Sequence, residues 1–215
     1  MKKVILVSGK LQSGKNQFAE YLEKEYILDN VKVKQDCFAQ DLKDACKEDF
    51  KPLVTYLNKA IEDIRDCVEP YNQDDEFLSS LMKLRTHDEN FYENKNDITR
   101  ILLQLYGTDI FRKRVDTDYW VKRMISKIKE SDKQVFIITD VRFPNEIDLV
   151  KAESDFDVVS IRVERDIDRS GSENEHESET ALDDYKKFTY TVDNTGTLED
   201  LWKAMDVIHN ELKND

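Results

Sequence analysis

Apolar and polar positions trade places along this chain in a rhythm that switches repeatedly between strand and helix. Val4 to Val7 form a short apolar run after two lysines, closed by Ser8 and Gly9, which predicts a strand buried on both faces. Over residues 16–26 the apolar positions Phe18, Ala19 and Leu22 share one side of a helix. Residues 31–38, VKVKQDCF, alternate as a second strand, and residues 40–69 read as helical in two pieces, the second opened by Pro52. Residues 70–97 are polar apart from an apolar island at Phe77–Leu84. A buried helical segment follows at 98–106, ITRILLQLY, then a break at Gly107-Thr108-Asp109, then helix to about Glu130. The clearest buried strand is 134–139, QVFIIT, ending at Asp140, with Pro144 suited to the first turn of the next helix. Further strands are predicted at 157–163, DVVSIRV, and 188–192, FTYTV, with a charged connection over 164–187. The chain closes with an amphipathic helix carrying Leu198, Leu201, Met205 and Ile208 at helical spacing.

Five strands alternating with helices predict a three-layer α/β fold, with one parallel sheet flanked by helices on both faces. The length of 215 residues suits a single domain over 1–215, with 48–97 as a helical insertion and 164–187 as a lid-like loop. A charged fraction of 37% beside 39% hydrophobic residues describes a core-forming chain with a very polar surface, and no run reaches the length of a membrane span. The opening lysines and short apolar run do not make a signal peptide. Cys37, Cys46 and Cys67 are odd in number and form no CxxC pair, which fits reduced thiols in the cytoplasm. A net charge of −13 argues against a nucleic acid polymer as partner, so any anionic ligand needs cations focused locally.

The loop after the first strand carries the chemistry. Gly9, four residues, Gly14 and Lys15 lie between a strand and a helix, the layout of a phosphate-binding loop. Glycines let the backbone turn its N–H groups inward onto phosphate oxygens, the helix start adds its positive dipole end, and Lys15 adds a mobile charge. Candidate nucleotide-binding residues are Gly9, Lys10, Gln12, Ser13, Gly14, Lys15, Asn16 and Gln17. With only five glycines in the chain, a chance occurrence of this spacing is rare. Asn16 departs from the Ser or Thr whose hydroxyl usually holds Mg²⁺ there. Asp140, at the carboxyl end of a central strand, is a candidate carboxylate for Mg²⁺ held through water. Arg162, Arg165 and Arg169 flank the charged connection and could reach phosphates if it closes. Asn94-Lys95-Asn96-Asp97 matches a guanine-reading motif, but it follows no apolar strand, and the DxxG strings at Asp168 and Asp193 come after it, which is the wrong order for a GTPase.

Four blocks together resemble the deoxynucleoside monophosphate kinases of T-even and related bacteriophages: SGKLQSGKN; QLYGTDIFRKRVDTDYWVKR at 104–123; TDVRFPNEID at 139–148; and HESETALDDY with YTVDNTGTLEDL at 176–201. The resemblance implies a nucleoside monophosphate kinase fold, ATP and Mg²⁺ as cofactors, transfer of the γ-phosphoryl to a deoxynucleoside monophosphate, a homodimer, and residence in a host cytoplasm. It implies Lys15, Asp140, Arg142 and Arg165 as catalytic groups and Asn16 with Asp140 at the metal. It puts Lys43, Arg100, Gln104, Asp109, Arg112, Trp120 and Glu179 on the substrate side, and Asn194, Thr195 and Gly196 near the adenine. The family loop has Asp where this chain has Asn16. Metazoan phosphomevalonate kinases are similar through SGK-x3-GK, Asp140 with Arg142, and Glu177-Ser178-Glu179, but they lack a counterpart to the Gly-Thr-Asp and Tyr-Trp block. A P-loop ATPase or switch, and a non-catalytic nucleotide-binding protein, are the readings from other classes.

Overall fold

The structure is a computed structural model that describes residues 1–49, 59, 62, 63, 103–165 and 177–214. Two compact units are present, one formed by Met1–Ala39 with Asp118–Asp215 and the other by Gln40–Thr117. The first unit holds a five-stranded sheet: β1 Lys2–Ser8, β2 Val33–Asp36, β3 Val135–Val141, β4 Phe156–Glu164 and β5 Tyr190–Asp193. Its order is β2-β3-β1-β4-β5 and every pairing is parallel, as the alternation of strands and helices predicts. The helices are α1 Lys15–Leu28, α2 over residues 38–49, α3 Tyr119–Glu130, α4 Pro144–Lys151, α5 Glu177–Thr180 and α6 Leu198–Asn214.

β1 is central because it is apolar on both faces. Ile5 and Val7 join Phe18, Ala19 and Leu22 of α1 and Leu201, Met205, Ile208 and Leu212 of α6 in one buried cluster. Strand alternation turns Val4 and Leu6, with Phe136 and Ile138 of β3, to the opposite face, where they are equally buried. There α4 packs on β4 and α3. Truncating one of these fully buried side chains, such as Phe18, costs about 3–5 kcal/mol. Asp36 ends β2 in an ion-paired pocket: Lys34 lies at 2.9 Å and Lys127 of α3 at 2.8 Å.

Several boundaries differ from the sequence reading; β2, expected over 31–38, covers only Val33–Asp36. β3 continues through Asp140 to Val141, because Ser8 of β1 pairs with Val141 after a register shift past Leu6. β5 begins at Tyr190 rather than at Phe188, where the ladder with β4 starts at Ile161.

In the second unit, the break expected at Gly107 is not a break. Residues Leu105–Val115 wind as one π-helix straight through Gly107-Thr108-Asp109, and the Asp116 N–H reaches back five residues to the Phe111 carbonyl at 2.9 Å. The glycine is there for packing, since a Cβ on Gly107 would lie 2.8 Å from a methyl of Leu42. Tyr106 stacks on Phe111 at 4.8 Å and donates its hydroxyl to Asp49.

Of the insertion expected at 48–97, only 48, 49, 59, 62 and 63 are described; of the lid-like loop at 164–187, residues 164–165 and 177–187 are. The rest of both expectations, Arg100, Arg169 and the Asn94–Asp97 motif lie outside the described residues. Among the described residues, no helix is long and apolar enough to cross a membrane.

Candidate phosphate-binding site

The parallel register brings Ser8, Val141 and Arg162 side by side at the carboxyl ends of β1, β3 and β4. The connection from β1 runs past β3 to β2 and that from β3 runs the other way past β1 to β4, so this end is the switch point where ligands of open α/β sheets bind. The glycine loop leaves from here. Gln12 has φ 64° and Gly14 φ 93°, so the backbone twice enters the left-handed region before α1 begins. Gly14 gives α1 no side-chain cap, and no acidic residue sits in its first turn. The N–H groups at this helix start and its positive dipole end therefore face the loop's concavity without a side-chain acceptor. A Cβ on Gly9 would stand 2.3 Å from Ser13 Oγ and 2.7 Å from the Val163 carbonyl oxygen, so the loop closes only around a glycine.

Lys15 begins α1, half-buried, with Nζ 3.4 Å from the Lys10 carbonyl. Burial holds its ammonium below the usual lysine range, and Arg142 and Arg162 push the same way while Glu179 and Asp140 oppose them. Those five groups are therefore electrostatic neighbours, and the local excess of cations that the acidic chain requires is present here.

Arg142, Arg162 and Lys10 each have an acidic partner. Arg142 pairs through Nη1 with Glu179 of α5. Arg162 is 8% exposed; its Nη1 donates to Ser8 Oγ at 3.0 Å and its Nη2 to Asp183 Oδ1 at 3.2 Å. The other oxygen of Asp183 takes Lys10 Nζ at 2.7 Å. Arg162 is thus a fixed strand residue and not part of a closing segment, as the sequence reading has it, because the parallel register seats it beside Ser8. Asp183 has no sequence signal beyond its place one residue after buried Leu182. Arg162 was legible only by aligning the polar residues that end β1 and β4.

Asp140 has a second task. Its Oδ1 accepts the Phe38 N–H and its Oδ2 the Ala39 N–H, both at 2.7 Å, so it caps the first turn of α2. Burial raises its carboxyl above the usual range, against the pull of those two amides and of Arg142. The next turn is organised similarly: Glu146 Oε2 accepts the N–H of Arg142 at 2.7 Å and of Phe143 at 3.1 Å, fixing the chain from β3 into α4.

The remaining expected residues divide by location. Lys10, Gln12, Ser13, Asn16 and Gln17 lie on the loop and first turn, with Asn16 and Gln17 exposed. Arg165 is exposed just past β4. Asn194 is buried behind the loop, while Thr195 and Gly196 are exposed. Trp120 is buried on α3 with its ring against Tyr119 at 4.9 Å. Lys43, Gln104, Asp109 and Arg112 belong to the second unit, where Asp109 pairs with Lys113 at 3.0 Å and Arg112 is buried.

A 78-residue stretch is 37% identical to the deoxynucleoside-5'-monophosphate kinase of Escherichia phage T5, covering 33% of this chain and 31% of that protein. The chain thus matches about a third of that relative's length. A family model described as deoxynucleotide monophosphate kinase matches residues 50–205, well over half of the sequence, including Asp140, Arg142, Arg162, Glu179, Asp183 and Asn194. On that match, the chain belongs to the deoxynucleotide monophosphate kinase family.

Proposed function

We propose that the protein moves the γ-phosphoryl group of ATP to a deoxynucleoside 5'-monophosphate, giving ADP and the deoxynucleoside diphosphate. The observation that carries this reading is the meeting of Lys15, Arg142 and Arg162 at an uncapped helix start behind a glycine loop. Phosphoryl transfer asks a protein for positioning and charge neutralisation rather than covalent chemistry. The loop amides and Lys15 would hold the β- and γ-phosphates. Arg142 and Arg162 would balance charge on the moving group, exchanging Glu179 and Asp183 for phosphate oxygens.

The residues present also fit Mg²⁺, with an emphasis on water-mediated contact. When bound, Mg²⁺ would supply neutralisation of the charge that develops on the phosphates. Asn16 offers an exposed neutral amide oxygen on the first turn of α1. Both oxygens of Asp140 already accept a hydrogen bond from a backbone amide, and each keeps a lone pair that can accept another from a metal-bound water. For the acceptor monophosphate, Glu179 beside Arg142 is the proposed contact in the first unit, with Trp120 in support; Lys43, Gln104, Asp109 and Arg112 of the second unit are candidates by the resemblance alone. The family resemblance favours a homodimer.

The test is ADP release with ATP, Mg²⁺ and a panel of deoxy- and ribonucleoside monophosphates, with 5-phosphomevalonate alongside. Turnover is expected only with an acceptor present, and fastest with a deoxynucleotide. Faster turnover of phosphomevalonate moves the protein to the other kinase reading, and acceptor-independent hydrolysis makes it an ATPase.

A further inference from the structure

Asn194 touches the glycine loop from behind, and its contacts are unusually constrained. Its backbone N–H donates to the Glu164 carbonyl at 2.7 Å, which ties the residue to the end of β4. The turn that carries it is stiffened on the far side: the Thr195 N–H donates to Asp193 Oδ1 at 2.9 Å, and Asp200 Oδ2 accepts both the N–H and the hydroxyl of Thr197, at 3.0 and 2.7 Å. With the backbone so held, the side chain reaches one target. Nδ2 donates to the Ser13 carbonyl oxygen at 2.8 Å, in a buried contact.

The Ser13–Gly14 peptide is trans, so its carbonyl and its N–H point in opposite directions. Drawing the Ser13 carbonyl back towards Asn194 therefore turns the Gly14 N–H forward, away from the core. The side chain of Ser13 itself does not supply this restraint, since its Oγ is buried without a hydrogen-bond partner. The fit is mutual: a Cβ on Gly14 would lie 2.5 Å from Asn194 Nδ2, and the φ of 93° already favours glycine there.

We propose that Asn194 is a positioning residue for phosphoryl transfer: by holding the Ser13 carbonyl, it orients the Gly14 amide towards the nucleotide's phosphates. It acts through the loop and makes no contact with the base. This inference rests on the kinase reading above and gives one of its residues a different task from the adenine contact that resemblance implies.

The experiment measures binding of three probes to the full chain by calorimetry at fixed Mg²⁺: ATP, inorganic tripolyphosphate and adenosine. Asn194→Ala removes the donor without adding charge, and Asn194→Asp keeps the shape while removing the donor. In both, ATP and tripolyphosphate are expected to lose affinity by the same factor, about tenfold, the size of one buried hydrogen bond to a phosphate cradle, while adenosine binding is unchanged. Unchanged tripolyphosphate binding overturns the proposal, whether or not ATP weakens, and so does an equal loss for all three probes, which marks a general structural role. If neither variant folds, Gly14→Ala displaces the Asn194 amide from the other side and must give the same split between phosphate and adenosine. A wild-type protein that binds neither ATP nor tripolyphosphate removes the kinase reading itself, and this inference with it.

Discussion

Replacing Asp140 with Asn tests two roles of one carboxylate at once, and the structure predicts that they separate. The substitution keeps one oxygen and exchanges the other for an NH₂ group. One of the two amides now held at 2.7 Å, Phe38 N–H or Ala39 N–H, then faces a donor. Losing a side-chain acceptor at a helix start costs about 1 kcal/mol, and losing the negative charge at the dipole's positive end adds about 0.3–1 kcal/mol. An amide-to-amide clash left in a half-buried place adds about 1 kcal/mol more. Relief of the burial that raises the Asp140 carboxyl offsets part of this. A net loss of about 2 kcal/mol corresponds to a Tm lower by about 4–8 °C for a chain of this size. That loss belongs to the ligand-free protein and does not depend on Mg²⁺. The second role appears only in turnover: kcat should fall by about 10²–10³, as for one well-placed electrostatic group, and half-maximal rate should need more Mg²⁺. Asn16→Ala, which removes a neutral and exposed amide, should cost about tenfold in kcat, near 1.4 kcal/mol, with no change in Tm. Thermal melts without ligand and a Mg²⁺ titration at saturating ATP measure both effects. An unchanged Tm refutes the cap. An unchanged kcat and Mg²⁺ dependence refutes the metal role and leaves Asp140 as a cap alone.

Gly9→Ala places a Cβ 2.7 Å from the Val163 carbonyl, a backbone atom that cannot step aside, so the loop must move; overpacking of about 1–3 kcal/mol and a drop of about 10² in kcat are expected, read by melts and steady-state kinetics. Lys15 deprotonates below the usual lysine range in the free protein, and bound phosphates raise it again. The alkaline limb of kcat/KM should therefore lie at lower pH than that of kcat, and coincident limbs would contradict the placement of Lys15 at the phosphates. Asp36 sits well below the ordinary carboxylate range; burial would raise it, but Lys127, Lys34 and the Cys37 N–H outweigh that. Its stabilising contribution is complete above the unfolded carboxylate pKa of about 3.9 and vanishes as pH falls through the lower folded value. Asp36→Asn should thus flatten the acid end of a Tm-against-pH curve.

The central strands β1 and β3 were legible because they are apolar on both faces, and the glycine loop because few backbones can take its shape. Strand ends were less legible: Asp140 is polar and reads as the residue after a strand, yet the pairing of Ser8 with Val141 carries β3 past it. Gly107 reads as a helix stop because glycine usually is one, whereas here it makes room for Leu42 within a π-helix. Arg162, Asp183 and the capping by Asp140 depend on which strands and helices become neighbours, and residue spacing does not encode that. Asn194 was expected near the adenine by resemblance; the contact that the structure shows, with a backbone carbonyl of Ser13, carries no side-chain signal.

The place of β1 in the sheet also fixes when, during synthesis, the glycine loop can first take its shape. The strand made first pairs on one side with β3, Val4 against Phe136, and on the other with β4, Ile5 against Val159. Neither neighbour exists until most of the chain has been made, and the Asn194 clamp comes later still. Closing contacts this distant in sequence is slow, and until then the apolar run of β1 has no sheet to enter. The glycine loop, though encoded at the start, is shaped almost last. Any ligand of the loop can therefore stabilise the finished fold by mass action, but it cannot template the early steps of folding.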